Sequence, residues 1–218
     1  MQNVIILHIE TATKVCSVAL SSNGKLIDHI SDDHDNYTHA EKLTLFIKEI
    51  IERNNYTFEQ LHAISVASGP GSYTGLRIGV STAKGLCYAL NTPLISVDAL
   101  TSLTRQIKNP EANICAVIDA RRMEVFSLIV DQEMNILKPI SADIITAETY
   151  LSYEPFILIG DGAQKLIDLW ENRASIKYDH SILSSATGQV KAAYSKYKIS
   201  DFENLAYFEP FYLKDFKH

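Results

Sequence analysis

The segment Ile64–Leu90 reads ISVASGPGSYTGLRIGVSTAKGLCYAL, and it decides the predicted fold. A short apolar run, Ala63 to Ala67, ends at Gly69-Pro70-Gly71, a pattern typical of a buried strand followed by a tight turn. A helix is predicted from about Thr74 onward, because apolar residues then recur at helical spacing. These residues are Leu76, Ile78, Ala83, Leu86, Cys87 and Leu90. The segment therefore predicts a strand–turn–helix unit of an α/β protein.

Small residues stand four apart on the predicted helix, at Gly75, Gly79 and Ala83. Residues at this spacing line one stripe of a helix surface. A glycine inside a helix costs about 1 kcal/mol relative to alanine, so two of them require a reason. Close approach of another backbone supplies one. The spacing leaves open whether that backbone belongs to the same chain or to a partner.

The glycine-rich turn does not match a nucleotide-binding motif. A P-loop needs Gly-Lys-Ser/Thr after its four-residue spacer, whereas Thr74 and Gly75 stand five and six residues after Gly69. The pair Gly69 and Gly71 is followed by Thr74 where the Gly-x-Gly-x-x-Gly pattern needs a third glycine. An anion site at the turn stays open, but no nucleotide motif is present.

The composition of the chain argues against several classes of function. The net charge of −6 over 218 residues argues against nucleic-acid binding by this chain alone. Cys16, Cys87 and Cys115 lie in apolar surroundings without a Cys-x-x-Cys pair, which is typical of reduced, buried thiols. The first residues lack the basic n-region of a signal peptide, and no apolar run reaches the length of a membrane span. We therefore expect a cytoplasmic protein without membrane contact.

The predicted order of elements repeats along the chain. Three strands, Val4–Glu10, Val15–Leu20 and Lys25–Ser31, precede a helix whose Thr38–Glu41 start fits a capping box. A second set of three strands begins near Ile114. Further elements are predicted as a strand at Phe156–Gly160 and helices at Thr146–Leu151, Ala163–Trp170 and Ala186–Lys196. The repeat predicts two similar lobes, residues 1–108 and 109–218, of which the second is smaller and degenerate. This pattern resembles the actin-like ATPase (RNase H-like) fold.

Two acids, Glu10 and Asp119, end the first strand of each predicted lobe. In an actin-like fold such acids, here beside Thr11 and Arg121, flank the cleft and can orient a metal-bound nucleotide. Alternatively, each acid caps the adjacent turn. Neither hairpin contains the glycine that a phosphate-binding hairpin needs. We therefore expect a vestigial cleft without a cofactor.

No catalytic or metal-binding group is predicted. No two histidines form a ligand pair with carboxylates nearby, because His34 and His39 stand five apart but straddle a loop and a helix start. No Gly-x-Ser-x-Gly elbow occurs. Ser72 lies in the glycine-rich turn, but no general base is identified for it.

Several motifs together resemble the bacterial TsaB family, formerly described as glycoprotease-like, and its larger catalytic relative TsaD. The resemblance covers residues 4–130 and is weaker afterwards. The glycine-rich block is specific to these two groups, and the short chain selects TsaB. The motifs are Ile9-Glu10-Thr11, Thr38–Glu41, Ser68–Gly79, Ala83–Leu86, Asp119–Arg121, Glu124-Val125, Gly160–Gly162 and Pro210–Lys214.

The resemblance implies a non-catalytic subunit in the synthesis of threonylcarbamoyladenosine at position 37 of tRNAs that read codons beginning with A. TsaD would transfer the threonylcarbamoyl group from threonylcarbamoyl-adenylate, the ATPase TsaE would join the assembly, and tRNA would be reached only through the complex. TsaD carries a metal-binding His-x3-His at places that Ala99 and Leu103 occupy here. Neither residue can ligate a metal.

The resemblance also implies a helical-bundle contact surface on the first two helices, used for binding TsaD and for homodimer formation when the chain is alone. The small-residue stripe and Leu45, which lies outside the core face, would then contact the partner. The predicted interface residues are His39, Glu41, Lys42, Leu45, Ser72, Gly75, Gly79 and Ala83. We expect Gly79→Leu or Ala83→Arg to abolish pairing while the monomer stays folded.

Three other functions stay open on sequence alone. The chain could be an autonomous actin-fold ATPase or kinase, a metallopeptidase, or a regulatory dimer unconnected with tRNA. A peptidase would need a metal site that these residues do not assemble, and a kinase would need affinity for nucleotides.

Overall fold

The computed structural model describes residues 3–33 and 39–214. The first sheet has five strands and carries two helices, α1 and α2, on one face. Its strands are β1 (Ile5–Glu10), β2 (Cys16–Ser22), β3 (Lys25–Asp32), β4 (Ala63–Ala67) and β5 (Leu94–Val97). The helices are α1 (His39–Arg53) and α2 (Tyr73–Leu90), and Ser72 caps the start of α2. Thr38 of the predicted capping box lies outside the described residues.

The second sheet also has five strands, and two further helices lie outside it. The strands are β6 (Asn113–Asp119), β7 (Glu124–Val130), β8 (Ile136–Ile144), β9 (Phe156–Ile159) and β10 (Ile176–Asp179). The helices are α3 (Ala99–Thr104) and α4 (Val190–Lys198). Short 3₁₀ helices occur at Phe58–Gln60, Leu151–Tyr153, Asp161–Leu166 and Ala186–Gln189.

The two sheets have the same topology. The strand order is β3-β2-β1-β4-β5 in the first and β8-β7-β6-β9-β10 in the second. In each sheet the first three strands are antiparallel, and the last two run parallel to the first strand. The predicted actin-like, RNase H-like fold of two similar lobes is therefore confirmed.

The second sheet has lost the long helices of the first. Where α1 stands in the first lobe, the second has turns and the 3₁₀ helix Leu151–Tyr153. In place of α2 it has the 3₁₀ helix Asp161–Leu166. The helix predicted at Thr146–Leu151 was wrong, because turns stand there. The helix predicted at Ala163–Trp170 is a 3₁₀ helix, Asp161–Leu166, followed by turns. Leu166 and Trp170 are both buried in the core of the second lobe.

The chain returns to the first sheet after β10. Ala193 of α4 packs with Ile6 and Ile95 on the face of the first sheet opposite α1 and α2. The predicted boundary near residue 108 separates the strands of the two sheets, and it stays a prediction for the domains as units.

The last described residues form a C-terminal segment, residues 203–214, that spans both lobes. The Glu203 amide donates to the Leu94 carbonyl at 2.9 Å, and the Phe211 amide donates to the Ser68 carbonyl at 2.7 Å. Lys214 then pairs with Glu124 at the start of β7. No helix within residues 3–33 and 39–214 combines the length and apolarity that a membrane crossing requires.

Candidate functional site

The small-residue stripe of α2 receives the turn between β1 and β2. A Cβ at Gly75 would lie 2.2 Å from the Thr11 carbonyl oxygen, and a Cβ at Gly79 would lie 2.2 Å from Thr11 Oγ1. The Thr11 hydroxyl donates to the Gly75 carbonyl oxygen at 2.8 Å. The close backbone approach that these glycines permit is therefore made within the chain.

Half of the predicted interface residues are buried. His39, Gly75, Gly79 and Ala83 lie inside the lobe. His39 Nε2 lies 2.8 Å from the Thr13 carbonyl oxygen, and burial lowers the pKa of its imidazole. The expectation that Gly79→Leu and Ala83→Arg leave the monomer folded is therefore wrong, because neither larger side chain has room.

The other four predicted interface residues reach the surface. Glu41 is exposed, Lys42 is half-buried beside Asp32, and Ser72 is half-buried at the cap of α2. Leu45 of α1 is 63% exposed. Their assignment to a partner surface stays a prediction.

The outward face of α2 contains a glycine that the chain itself does not explain. Thr74, Ser81, Gly85 and Tyr88 are exposed at helical spacing. A Cβ at Gly85 would meet no described heavy atom within 4 Å, outside its chain neighbours and its own helix backbone. Sequence reasoning missed Gly85 because it lies off the four-residue spacing of the buried stripe.

Glu10 and Asp119 occupy different environments. Glu10 is fully buried, and burial raises the pKa of its carboxyl group to about 7. Asp119 is exposed and pairs with Lys165 at 2.6 Å. The structure therefore does not bring the two carboxylates to one open cleft, as a metal–nucleotide site would require.

Each acid instead caps its own hairpin. Glu10 Oε1 accepts a hydrogen bond from the Ala12 amide at 2.9 Å, and Asp119 Oδ1 accepts one from the Arg121 amide at 2.7 Å. Arg121 adopts a φ of 67°, so its backbone serves the turn. The turn-capping interpretation is confirmed at both positions.

The two hairpins share one buried apolar cluster. Ala12 from the first hairpin and Ala120 from the second belong to one buried cluster that spans both lobes, and Leu213 of the C-terminal segment packs against it. Thr11, next to Ala12, is itself fully buried. The assignment of Glu10, Thr11, Asp119 and Arg121 to a vestigial cleft stays a prediction.

A buried polar network lies beneath the 3₁₀ helix Ala186–Gln189. The Gln189 side chain accepts a hydrogen bond from Ser65 Oγ at 2.7 Å and donates to the Ile9 carbonyl oxygen at 2.8 Å. His8 Nε2 lies 2.8 Å from Ser21 Oγ, and burial lowers the pKa of His8 to about 3. A neutral, fully enclosed imidazole has no route to a substrate, so we assign this network to packing.

None of the three cysteine thiols is an accessible nucleophile. All three cysteines are buried and free of disulfides. Burial raises the pKa of Cys16 and of Cys87 to about 11, and it raises the pKa of Cys115 further. The predicted burial of the three thiols is confirmed. Because a raised pKa keeps a thiol protonated at neutral pH, these thiols are poor nucleophiles.

Ser127 and Lys138 of the second lobe form a serine–lysine pair, an arrangement that some serine hydrolases use for catalysis. Lys138 Nζ lies 3.0 Å from Ser127 Oγ, but it also pairs with Asp143 at 2.8 Å. Ser127 is fully buried and donates its own hydrogen bond to Asp143 at 2.6 Å. Burial alone would raise the pKa of Asp143, but hydrogen bonds from Lys138, Ser127 and Tyr150 outweigh it and lower that pKa. An enclosed serine beside a carboxylate-bound ammonium is a structural group.

The described residues also offer no metal cage. Within residues 3–33 and 39–214, no three His, Cys, Asp or Glu side chains are grouped so that they could hold a metal ion. Ala99 and Leu103, at the places of the TsaD histidines, are buried apolar residues of α3.

The chain is similar to proteins of one known family. The family described as "TsaD: tRNA N6-adenosine threonylcarbamoyltransferase" matches residues 35–216. The chain belongs to this family. Its relatives include the "tRNA threonylcarbamoyladenosine biosynthesis protein TsaB" of Haemophilus influenzae, 35% identical over 62% of this chain and 57% of that protein. The Escherichia coli protein of the same name is 28% identical over 83% of this chain and 81% of that protein.

Coverage separates the two branches of the family. A "tRNA N6-adenosine threonylcarbamoyltransferase" of Bacillus thuringiensis is 32% identical, but the match spans only 32% of its length. The solved structure of "YeaZ from Pseudomonas aeruginosa" superposes with a TM-score of 0.80 over 96% of this chain and all of that one, at 23% identity. The resemblance to TsaB, inferred from the motifs, is confirmed, and the solved structure supports the fold.

Proposed function

We propose that this chain is a non-catalytic subunit in the synthesis of threonylcarbamoyladenosine on tRNA. Its relatives of similar length are named as biosynthesis proteins for this nucleoside, and the chain belongs to the same family. In this proposal the chain binds and activates a TsaD-type transferase, which performs the chemistry.

The non-catalytic role is supported by what the two hairpins do. Glu10 and Asp119 cap turns, and Ala12 and Ala120, beside these acids, belong to one buried apolar cluster. A nucleotide-dependent transferase would need such acids to be free to orient a metal-bound nucleotide. The same arrangement disfavours an autonomous kinase, and the buried Ser127 disfavours a serine peptidase.

The main evidence for the proposed partner surface is the open space around Gly85. The glycine at this outward helix position costs about 1 kcal/mol relative to alanine, yet no contact within the described chain requires it. Leu45, on the neighbouring helix α1, leaves a large apolar side chain uncovered. Both features are accounted for if a partner helix packs closely on α1 and α2.

The remaining partners follow from the same proposal. One helical face that serves both TsaD and a second copy of this chain makes heterodimer and homodimer mutually exclusive. The ATPase TsaE would join the heterodimer, and tRNA would be bound through the complex in the cytoplasm. The acidic net charge of −6 is consistent with RNA binding that depends on the complex.

The test is tRNA modification in a reconstituted mixture of TsaD, TsaE, threonylcarbamoyl-adenylate, ATP and unmodified tRNA, with and without this chain. We expect modified nucleoside only when the chain is present. Equal product in its absence would contradict the proposal. Calorimetry of the isolated chain with ATP and Mg²⁺ is the companion measurement, and tight binding with turnover would favour the kinase alternative.

A further inference from the structure

An open cavity lies on the first lobe, away from the outward face of α2. It has a volume of about 590 Å³ and opens beyond the carboxyl ends of the parallel strands β4 and β5. Small-ligand sites in proteins commonly have volumes of about 300–1,000 Å³. In open sheets with parallel strands, ligands bind beyond the carboxyl ends of those strands. The volume of this open cavity lies within that range, and its position is one at which ligands bind in such sheets.

The two helical walls of the cavity carry the same pair of groups. On α3 and its last turn, Thr101 and Arg105 stand four residues apart, and on α4, Lys191 and Ser195 stand four apart. Residues at this spacing share one helix face. Each wall therefore presents one hydroxyl group and one cation to the cavity, and Ser68 contributes a hydroxyl group at the end of β4. The hydroxyl group of Ser96, at the end of β5, already donates to the Glu203 carboxylate.

The two cations are not engaged by the protein. Within residues 3–33 and 39–214, neither Arg105 nor Lys191 has an ion pair or a side-chain hydrogen bond, although the chain carries an excess of acids. Lys196 also lines the cavity, and it pairs with Asp201 at 3.4 Å. Two unpaired cations, with the hydroxyl groups of Ser68, Thr101 and Ser195 around the same cavity, match the recognition of a phosphate group.

One acid, Asp98, lines the same cavity and restricts what can bind. Its Oδ1 accepts a hydrogen bond from the Thr101 amide at 2.7 Å, and a carboxylate can accept further hydrogen bonds through its other oxygen. A ligand that places only negative charge here would be repelled by Asp98. A ligand that carries both a phosphate and a neighbouring hydroxyl group would satisfy the cations and the acid together.

We propose that this cavity binds the phosphate group of a ribonucleotide, with Arg105 and Lys191 on the phosphate and Asp98 accepting from a ribose hydroxyl group. The ribonucleotide is either free or part of an RNA strand. The inference does not rest on the proposed function, because binding is measured on the isolated full chain.

The probes are adenosine 5′-monophosphate, its 2′-deoxy analogue and a short unstructured oligoribonucleotide, titrated by calorimetry at low salt. We expect the ribonucleotide to bind more tightly than the deoxy analogue. The double variant R105Q/K191Q should weaken binding at least about tenfold, because two charge-assisted contacts are lost.

The matched control is the double variant K108Q/K198Q. It removes the same charge from the same two segments, but Lys108 and Lys198 do not line the cavity. Nucleotide binding that is unchanged in the control variant supports the site. If only the oligoribonucleotide binds, and R105Q/K191Q weakens that binding, the bound phosphate belongs to RNA. Equal weakening by both double variants, or no binding of any probe, would overturn the proposal. Equal affinity for the ribonucleotide and its deoxy analogue would overturn the role of Asp98.

Discussion

The hydroxyl group of Thr11 donates a hydrogen bond to the Gly75 carbonyl oxygen at 2.8 Å, and this contact joins the first hairpin to the first turn of α2. The hairpin can come so close only because Gly75 and Gly79 lack side chains. The glycine-rich segment and the hairpin at the end of β1 are therefore one packing unit.

Alanine at Gly79 tests that unit. The new Cβ would lie 2.2 Å from Thr11 Oγ1, so we expect Gly79→Ala to lower the free energy of unfolding by about 1–3 kcal/mol, although alanine favours helix. In a Thr11→Ala background the nearest Thr11 atom left is Cβ at 3.4 Å, and the cost of Gly79→Ala should shrink. A double-mutant cycle by urea denaturation measures the coupling. Strictly additive effects would show that the contact is not the cause.

Alanine at Gly85 should have the opposite effect. No described atom outside its own helix backbone and chain neighbours would oppose the new Cβ, so helix propensity alone acts. We expect Gly85→Ala to raise the free energy of unfolding of the monomer by about 0.5–1 kcal/mol. The measurement is denaturation at a concentration where the chain is monomeric. A destabilised monomer would mean that Gly85 has a structural role within the chain.

The buried carboxyl group of Glu10 predicts a pH-dependent stability. Burial raises its pKa in the folded chain from the ordinary value of 4.5 to about 7. Between these values the folded state binds more protons than the unfolded state, so the free energy of unfolding falls as the pH rises. The loss from this group is about 3 kcal/mol and is complete above pH 7.

Glu10→Gln removes this titration while it keeps the oxygen that accepts from the Ala12 amide. We expect the stability of the variant relative to the native chain to improve by about 3 kcal/mol between pH 4 and pH 8, measured by denaturant unfolding. Glu41→Gln, at an exposed position of α1, is the matched control. A difference between the Glu10→Gln and native chains that does not vary with pH would contradict the assignment.

The three buried cysteines predict slow chemical modification. Cys16, Cys87 and Cys115 are enclosed, and burial raises the pKa of each thiol. We expect a thiol reagent at pH 8 to label none of them in the folded chain and all three in denaturant. Fast labelling of one thiol in the native chain would show that its surroundings open.

Much of the fold could be predicted from local patterns. The strand Ala63–Ala67 has the predicted bounds, because a continuous apolar run that ends at turn residues specifies a buried strand. The short helix Ala99–Thr104 and the strand Ile176–Asp179 were not predicted. Each is only four to six residues long, so neither shows a period that distinguishes it from a loop.

The site was harder to predict, because the role of a residue on a helix depends on which side of that helix the rest of the chain covers. Spacing placed Gly75 and Gly79 on one stripe, but only the position of Thr11 shows that the stripe is filled from within. Sequence alone also left open whether Glu10 faces a cleft or a turn. That choice depends on how the two lobes close, which involves residues far apart in the chain.

The most direct test of the central claim is complex formation between this chain and TsaD, followed by sedimentation velocity for the native chain, Gly85→Leu and Leu45→Lys. Ile144→Glu, an exposed position on the far sheet, is the control. We predict that all four chains fold, that the native chain and the control form the heterodimer, and that the two α1–α2 variants lose most of it. An undiminished heterodimer with both Gly85→Leu and Leu45→Lys would contradict the claim that the outward face of α1 and α2 binds the catalytic partner.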